Sequence, residues 1–389
     1  MLLKDLARKF KTAQIITHDD LDGYGSGAIL VKTLKLLGFE NDNIEVTHTN
    51  YANPLPFNNN HKFIIISDIS ISTADAAKKL MDFVSDSSNL VIWIDHHKTS
   101  IDFSSYSSYS SLQSILGIRN TNASGTLLCW LFHQKVNFYL GCDKASLTND
   151  IFAELNDDYI AHSLNSDSLI EIPYPIRLVD DYDRFVMSYD NSKYFIEAFN
   201  NYPAFEKNCK SEYFQTGFMN SANPITGDYI HRGKLAFIWR RIAALNALKS
   251  RGFIASLFGE GLPDMICLNS ADRGSLTFGK CLGDNSSDLF QYNYACLYNH
   301  NGDKYNVSIY CANPKNASNE DRRINHVYDA TDICKRFNGG GHPGAAGFIA
   351  TTLHFVNIRP LPETIKIQID EEITELWKKA MPQEDRMSI

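Results

Sequence analysis

Residues 90–97 read Leu90-Val91-Ile92-Trp93-Ile94-Asp95-His96-His97: five apolar residues running straight into a carboxylate and two imidazoles. A continuous apolar run of that length marks a strand buried on both faces, as in parallel sheets. The same arrangement occurs twice upstream. Phe63-Ile64-Ile65-Ile66-Ser67 ends at Asp68, and Ala13-Gln14-Ile15-Ile16-Thr17 ends at His18-Asp19-Asp20-Leu21-Asp22-Gly23. Helical patterns over 26–37 (closed by Gly38) and 74–84 separate these strands. Strands alternating with helices predict an α/β fold, a parallel N-terminal sheet with helices on both faces.

In open parallel sheets, ligands bind in the crevice at the carboxyl ends of the strands. Three polar clusters therefore converge from three successive strands. Mixed imidazole and carboxylate ligands suit a hard or borderline divalent ion, and manganese is the natural choice. In His18-x-Asp20-x-Asp22, alternate side chains of an extended or turning segment point the same way, and Gly23 permits a sharp turn into the helix. Taken singly, each residue has a plainer role: an aspartate after a strand is often a turn former or helix N-cap. The coincidence of three clusters argues for a metal site.

These residues resemble the DHH phosphoesterases, whose name-giving motif stands here as Asp95-His96-His97. HDDLDG is similar to the family's first motif, Asp68 in SDIS to its second, and DDYDRF (residues 180–185) to its fourth. Asn338-Gly339-Gly340-Gly341-His342-Pro343-Gly344 resembles the GGGH loop of the family's associated C-terminal domain. The resemblance covers about residues 10–350, and its branch is the oligoribonuclease NrnB-like, nanoRNase group. It implies two divalent metal ions, most often Mn2+, with Mg2+ or Co2+ as substitutes. His18 and Asp20 would hold one ion, and Asp22, His96 and a fourth-motif aspartate the other, with Asp68 bridging. Asp181 is favoured as that aspartate, and Asp180 and Asp183 are the rivals. Asp95 would orient a neighbouring imidazole, and His97 would face the substrate phosphate as hydrogen-bond donor or general acid. Gly339, Gly340, Gly341 and His342 would bind substrate, the glycines turning backbone N–H groups into an anion-binding nest.

The resemblance further implies an active site in the cleft between two domains and a manganese-dependent phosphodiesterase that trims short oligonucleotides to mononucleotides. Its nearby rivals are hydrolysis of 3′-phosphoadenosine 5′-phosphate (pAp) and of cyclic or linear dinucleotides. A nucleotide-binding regulatory module is the non-enzymatic alternative. Many members carry an arginine-serine pair where this chain reads Ser308-Ile309-Tyr310-Cys311. Tyr310 is then either a base-stacking residue or core, and Arg322 and Arg323 are candidates to replace the arginine.

The predicted organisation is a metal-binding domain at 1–190, a connecting segment and helix at 191–252, a smaller α/β domain at 253–352 and a tail at 353–389. Polar sequence near 188–228 reads as a connection, and the Ser/Tyr-rich stretch at 101–112 as a surface loop. The 389 residues are 44% hydrophobic and 21% charged, ordinary for a globular protein. No apolar run approaches the ~18 residues of a membrane span, and the first residues lack the pattern of a signal peptide. Eight widely spaced cysteines form no zinc or redox pattern and read as buried thiols of a reducing cytoplasm. G-x-S-x-G and P-loop signatures are absent, against a serine hydrolase or a nucleoside triphosphatase.

Residues 1–190 hold 15 basic against 24 acidic side chains, and 191–389 hold 22 against 21. An acidic half argues against tracking along long nucleic acid by backbone charge and reads either as a solvated surface or as carboxylates gathered for cations. The resemblance implies short oligonucleotides or small nucleotides as partners. Oligomeric state stays open, a homodimer included. The remaining histidines, His48, His61 and His133 among them, have no partner pattern and read as structural. Trp130 and Trp239 read as core.

Overall fold

Isoleucines facing both ways build the first sheet. The computed structural model describes residues 3–50, 55–71, 74–97, 100–101, 112–141, 149–164, 171–184, 186–201, 207–257, 261–270, 294–311, 329–342 and 345–380. The chain divides into two units, Met1–Lys234 and Leu235–Ile389. In the first, β1 (Ala13–His18), β2 (Ile44–Thr49), β3 (Phe63–Ser67), β4 (Leu90–Asp95) and β5 (Leu116–Arg119) form a parallel sheet in the order β2-β1-β3-β4-β5.

The helices of this unit are α1 (Leu6–Phe10), α2 (Leu21–Leu36), α3 (Ala74–Ser85), α4 (Gly125–Leu140), α5 (Asn149–Ala153), α6 (Asp157–Leu164), α7 (Tyr174–Asp183) and α8 (Asp190–Asn201). One face of the sheet, with Ile15, Ile65, Ile92 and Ile94, shares a core with α2 and α4. The other, with Ile16, Ile64, Ile66, Val91 and Trp93, shares one with Ala77 and Leu80 of α3.

Two strands escape the sequence reading for physical reasons. β2 (IEVTHT) is a half-buried edge strand with polar residues on both sides, and β5 (LGIR) is four residues long and carries a glycine. The helix expected at 26–37 begins at Leu21, because Asp20 caps it by accepting from Gly23 N at 2.9 Å. The expected connection near 188–228 is corrected: it contains α8, whose Phe195, Ile196, Ala198 and Phe199 are buried. It then forms a π-helical turn, Tyr213–Gly217, before α9 (Pro224–Arg251). The stretch 102–111, Phe185, Arg322, Arg323, Pro343 and Gly344 lie outside the described residues.

The second unit holds β6 (Phe253–Leu257), β7 (Met265–Asn269), β8 (Tyr294–Asn301), β9 (Lys304–Cys311), α10 (Ala330–Lys335), β10 (Gly340–His342), β11 (Ala345–Ala350), β12 (Phe355–Pro360) and α11 (Glu363–Ala380). Its sheet runs β10-β11-β9-β8-β7-β6-β12, antiparallel except at β7–β8. Ile238, Ile242, Leu245 and Leu248 of α9 and Ile365, Ile369 and Leu376 of α11 share a core with Ile254, Ile266 and Tyr310 of the sheet. Ile333 and Cys334 of α10 belong to a second cluster with Cys267, Cys296, Ile309 and Phe348. The expected tail holds an edge strand, Phe355–Pro360, and a core-packing helix, Glu363–Ala380. Trp239 is 49% exposed and edge-stacked on Trp377 rather than core. Six described cysteines are buried. No helix among the described residues is long and apolar enough to cross a membrane.

His133 on α4 gives this fold a pH signature. Thr33 Oγ1 donates to Ile29 O at 2.8 Å, so it accepts from His133 Nδ1 at 3.0 Å. Burial, helped by the charge of Lys32, pushes the imidazole down to about 4. The unfolded chain then binds the proton first. This contribution is complete above the ordinary histidine value and is lost as pH falls toward 4. Between pH 7.5 and 5.5 the wild type loses about 1 kcal/mol through this group. Urea unfolding at the two pH values checks it: His133→Gln shows a pH-dependent loss smaller by that amount.

Candidate metal centre

Three strand ends present the polar groups. His18 closes β1, and its Nδ1 lies 2.6 Å from Asp20 Oδ2. Asp22 sits in the first turn of α2 and is buried. Gly125 N and Thr126 N, at the start of α4, donate to its two oxygens at 2.8 Å each, and Thr126 Oγ1 donates to Asp22 O at 2.7 Å. The positive end of a sixteen-residue helix thus fixes and supports this carboxylate. A Cβ on Gly125 would stand 2.8 Å from Asp68 Cβ, so glycine is what lets α4 approach.

Asp68 follows β3, is 1% exposed and takes φ 57°. Its N donates to Ile94 O at 3.0 Å. A left-handed aspartate is uncommon, and a strained backbone of this kind gathers at functional sites. Asp95 closes β4 fully buried, and its Oδ1 accepts from His96 N at 2.9 Å and His97 Nδ1 at 2.8 Å. His96 Nε2 stands among three carboxylates: Asp68 Oδ1 at 3.1 Å, Asp183 Oδ2 at 3.3 Å and Asp22 Oδ2 at 3.6 Å.

Three overlapping groups place their ligand atoms within 4.8 Å of one another: His18, Asp20 and Asp68; Asp22, His96 and Asp183; and Asp68, His96 and His97. Burial, then the charge of Asp22 and its neighbours, raises Asp68 and Asp183 well above the carboxylate range. Burial works to lower His18 and His97. The hydrogen bonds and charges of Asp20 and Asp95 outweigh it, and both imidazoles are raised. Among the described residues, no ion pair of Asp20, Asp22, Asp68 or Asp183 is made with lysine or arginine. Asp68 Oδ2 and Asp183 Oδ2 are buried without a hydrogen bond. Buried acids crowded this way, with unused oxygens and imidazoles beside them, fit hard or borderline divalent cations.

Residues 12–139 match the sequence profile of the DHH family, N-terminal domain. Within the first unit lies a stretch similar to the N-terminal domain of the DHH family. The match spans the DHH domain from β1 through α4, a third of the chain, and takes in His18, Asp20, Asp22, Asp68 and Asp95-His96-His97.

Solved structures similar to the chain include an exopolyphosphatase-related protein from Bacteroides fragilis: 13% identity over 97% of this chain and 96% of that one, TM-score 0.42. RecJ from Thermus thermophilus in complex with Mn2+ is 16% identical over 98% of this chain and 54% of that one, TM-score 0.43. The pGpG-specific phosphodiesterase PggH from Vibrio cholerae is 11% identical over 94% and 98%, TM-score 0.36. No curated protein matches the chain.

Beyond the matched segment, α7 brings one aspartate to the DHH domain's cluster, and it is not the expected one. Asp181 is buried away from it. Its Oδ1 accepts from Ser188 N at 2.6 Å, and its Oδ2 from Ser192 Oγ at 2.6 Å and Tyr189 N at 3.1 Å. Asp180 is equally committed, to Ser124 N at 2.7 Å and to both Nε and Nη2 of Arg184. Asp183, two residues along the helix from Asp181, faces the cluster instead. Of the three aspartates considered, Asp180, Asp181 and Asp183, it is Asp183 whose oxygen lies with the cluster. Spacing within DDYDRF does not say which face of a helix turns to the site.

A helix starting at Ser124 was legible, but the contact its first turn makes with Asp22 escaped the sequence reading. Ser124-Gly125-Thr126 carried a signal, an N-cap serine with small residues after a short strand, but not the carboxylate it grips. In the second unit, Gly339 to His342 lie just past a helix end and on an edge strand. Asn338, at φ 58°, ends α10, Gly339 N donates back to Cys334 O at 2.9 Å, and Gly340–His342 is an edge strand paired with β11. Glycine is required at 339 because a Cβ there would lie 2.2 Å from Gly347 O. Tyr310 is core, in register between Ala295 and Ala345.

Proposed function

We propose that the chain is a divalent-metal-dependent phosphodiesterase, manganese being the preferred ion, that hydrolyses short oligonucleotides to mononucleotides. The observation that carries this reading is the gathering of His18, Asp20, Asp22, Asp68 and His96 just past three strands with Asp183 from α7, the buried oxygens of Asp68 and Asp183 lacking hydrogen bonds. On this reading His18, Asp20 and Asp68 hold one ion, and Asp22, His96, Asp183 and again Asp68 hold the other. Bound there, two divalent ions supply Lewis acidity to phosphoryl oxygens and lower the pKa of water.

The chain's own groups orient and protonate. Asp95 fixes the His97 tautomer with Nδ1 protonated and keeps its pKa high, which suits His97 to donate to a phosphate oxygen or a leaving group. The α4 terminus holds Asp22 in place, so that this ligand does not reorganise during turnover. Two ions would bring the charge of residues 1–190 from −9 to about −5, a surface still unsuited to long polyanions.

A substrate panel tests the reading. With Mn2+, a 5′-labelled dinucleotide is expected to be cleaved faster than a 20-mer, pAp or a cyclic dinucleotide. Rapid cleavage of the 20-mer with the dinucleotide left intact would overturn it. Dominant turnover of pAp would make the enzyme a phosphatase instead.

A further inference from the structure

His48 belongs to no motif, yet it touches the backbone of the first metal-binding group. It lies on edge strand β2, and its Nδ1 is 3.1 Å from His18 O. A carbonyl only accepts, so Nδ1 carries the proton and Nε2 is the acceptor. Nε2 lies 3.5 Å from Cys209 Sγ, which also stands 3.2 Å from Tyr24 O. The ring is stacked on Tyr24, with centroids 3.7 Å apart and planes within 10°. A second contact fixes the same carbonyl from another side: a Cβ at Gly23 would lie 2.1 Å from His18 O. The peptide between His18 and Asp19 is thus held by a hydrogen bond from β2 and by close packing from the first turn of α2.

That peptide matters because of what flanks it. β1 ends at His18 and α2 is capped by Asp20, so a single residue separates the two side chains assigned to one ion. A rotation of this peptide would swing both together. We propose that His48 is a positioning residue of the metal centre, holding the His18 main chain so that His18 and Asp20 address one ion. This rests on the two-metal reading above.

Two variants separate the hydrogen bond from the packing. His48→Phe keeps a ring on Tyr24 and loses the donor. His48→Asn loses the stack but keeps an amide N–H at the position of Nδ1. Calorimetric titration of the full chain with Mn2+ is expected to show two ions for the wild type. His48→Phe should weaken one of them by about tenfold or more, with kcat lowered and KM unchanged at limiting Mn2+. His48→Asn should stay within about threefold of the wild type on the same scale. Should His48→Phe not fold, His48→Gln carries the test, since its amide sits at the Nε2 position and cannot reach His18 O. Wild-type Mn2+ affinity in the Phe or Gln variant, or an Asn variant as impaired as they are, would overturn the role of His48 and leave the metal centre standing. A wild type that binds no Mn2+ would overturn both.

Discussion

Asp68→Asn is expected to lower kcat with Mn2+ by on the order of 10³-fold or more, while raising the melting temperature of the EDTA-treated protein. The two effects share one cause. Asp68 belongs to two of the ligand groups, and on the proposed reading it is shared between two ions, so its loss would impair both. Without ions it is a buried carboxylate crowded by Asp22, Asp20 and Asp183, and its pKa is raised. An acid raised on folding contributes stability at low pH that is lost as pH rises through its folded value. At neutral pH the chelated protein therefore carries an electrostatic penalty, which asparagine removes. Asparagine also tolerates the φ of 57° that alanine would not. Each kcal/mol recovered should appear as about 2–4 °C in Tm. Kinetics and thermal melts with and without EDTA read both outcomes. Near wild-type turnover would sink the bridging role.

Asp183 and Asp181 should behave in opposite ways although two residues apart. Asp183→Asn is expected to lower kcat by about 10²–10³-fold with the fold intact, since its Oδ2 makes no hydrogen bond and faces His96. Asp181→Ala should leave the kcat of the folded protein within a few-fold and cost stability instead. It strands Ser188 N, Tyr189 N and the Ser192 hydroxyl, a loss of about 2–4 kcal/mol. That corresponds to a fall of about 5–10 °C in Tm. Paired melts and initial rates check the crossing. A kcat collapse in Asp181→Ala with Asp183→Asn fully active would return the ligand role to Asp181.

The parallel sheet was legible because its central strands are buried on both faces. Phe63–Ser67 and Leu90–Asp95 could be nothing else, and their polar ends identified His18, Asp20, Asp22, Asp68 and Asp95-His96-His97 together. β2 was not legible, because an edge strand with Glu45, Thr47 and His48 carries no alternation, and His48 went with it. α8 was hidden by polar residues that mask Phe195 and Phe199 four apart. Asp183 needed the orientation of α7, which only the burial of Asp181 against Ser188–Ser192 reveals. The glycines at 339–341 were noticed as a motif, but the packing of Gly339 against Gly347 and Phe348 required the sheet.

The central claim is that two ions share Asp68. Anomalous scattering at the manganese edge, from crystals grown with Mn2+, measures it directly. Two peaks are expected about 3.5–4 Å apart, one beside His18 and Asp20, the other beside Asp22, His96 and Asp183, with Asp68 between them. A single peak, or a second ion held by Asp181 with Asp183 turned away, would contradict the account.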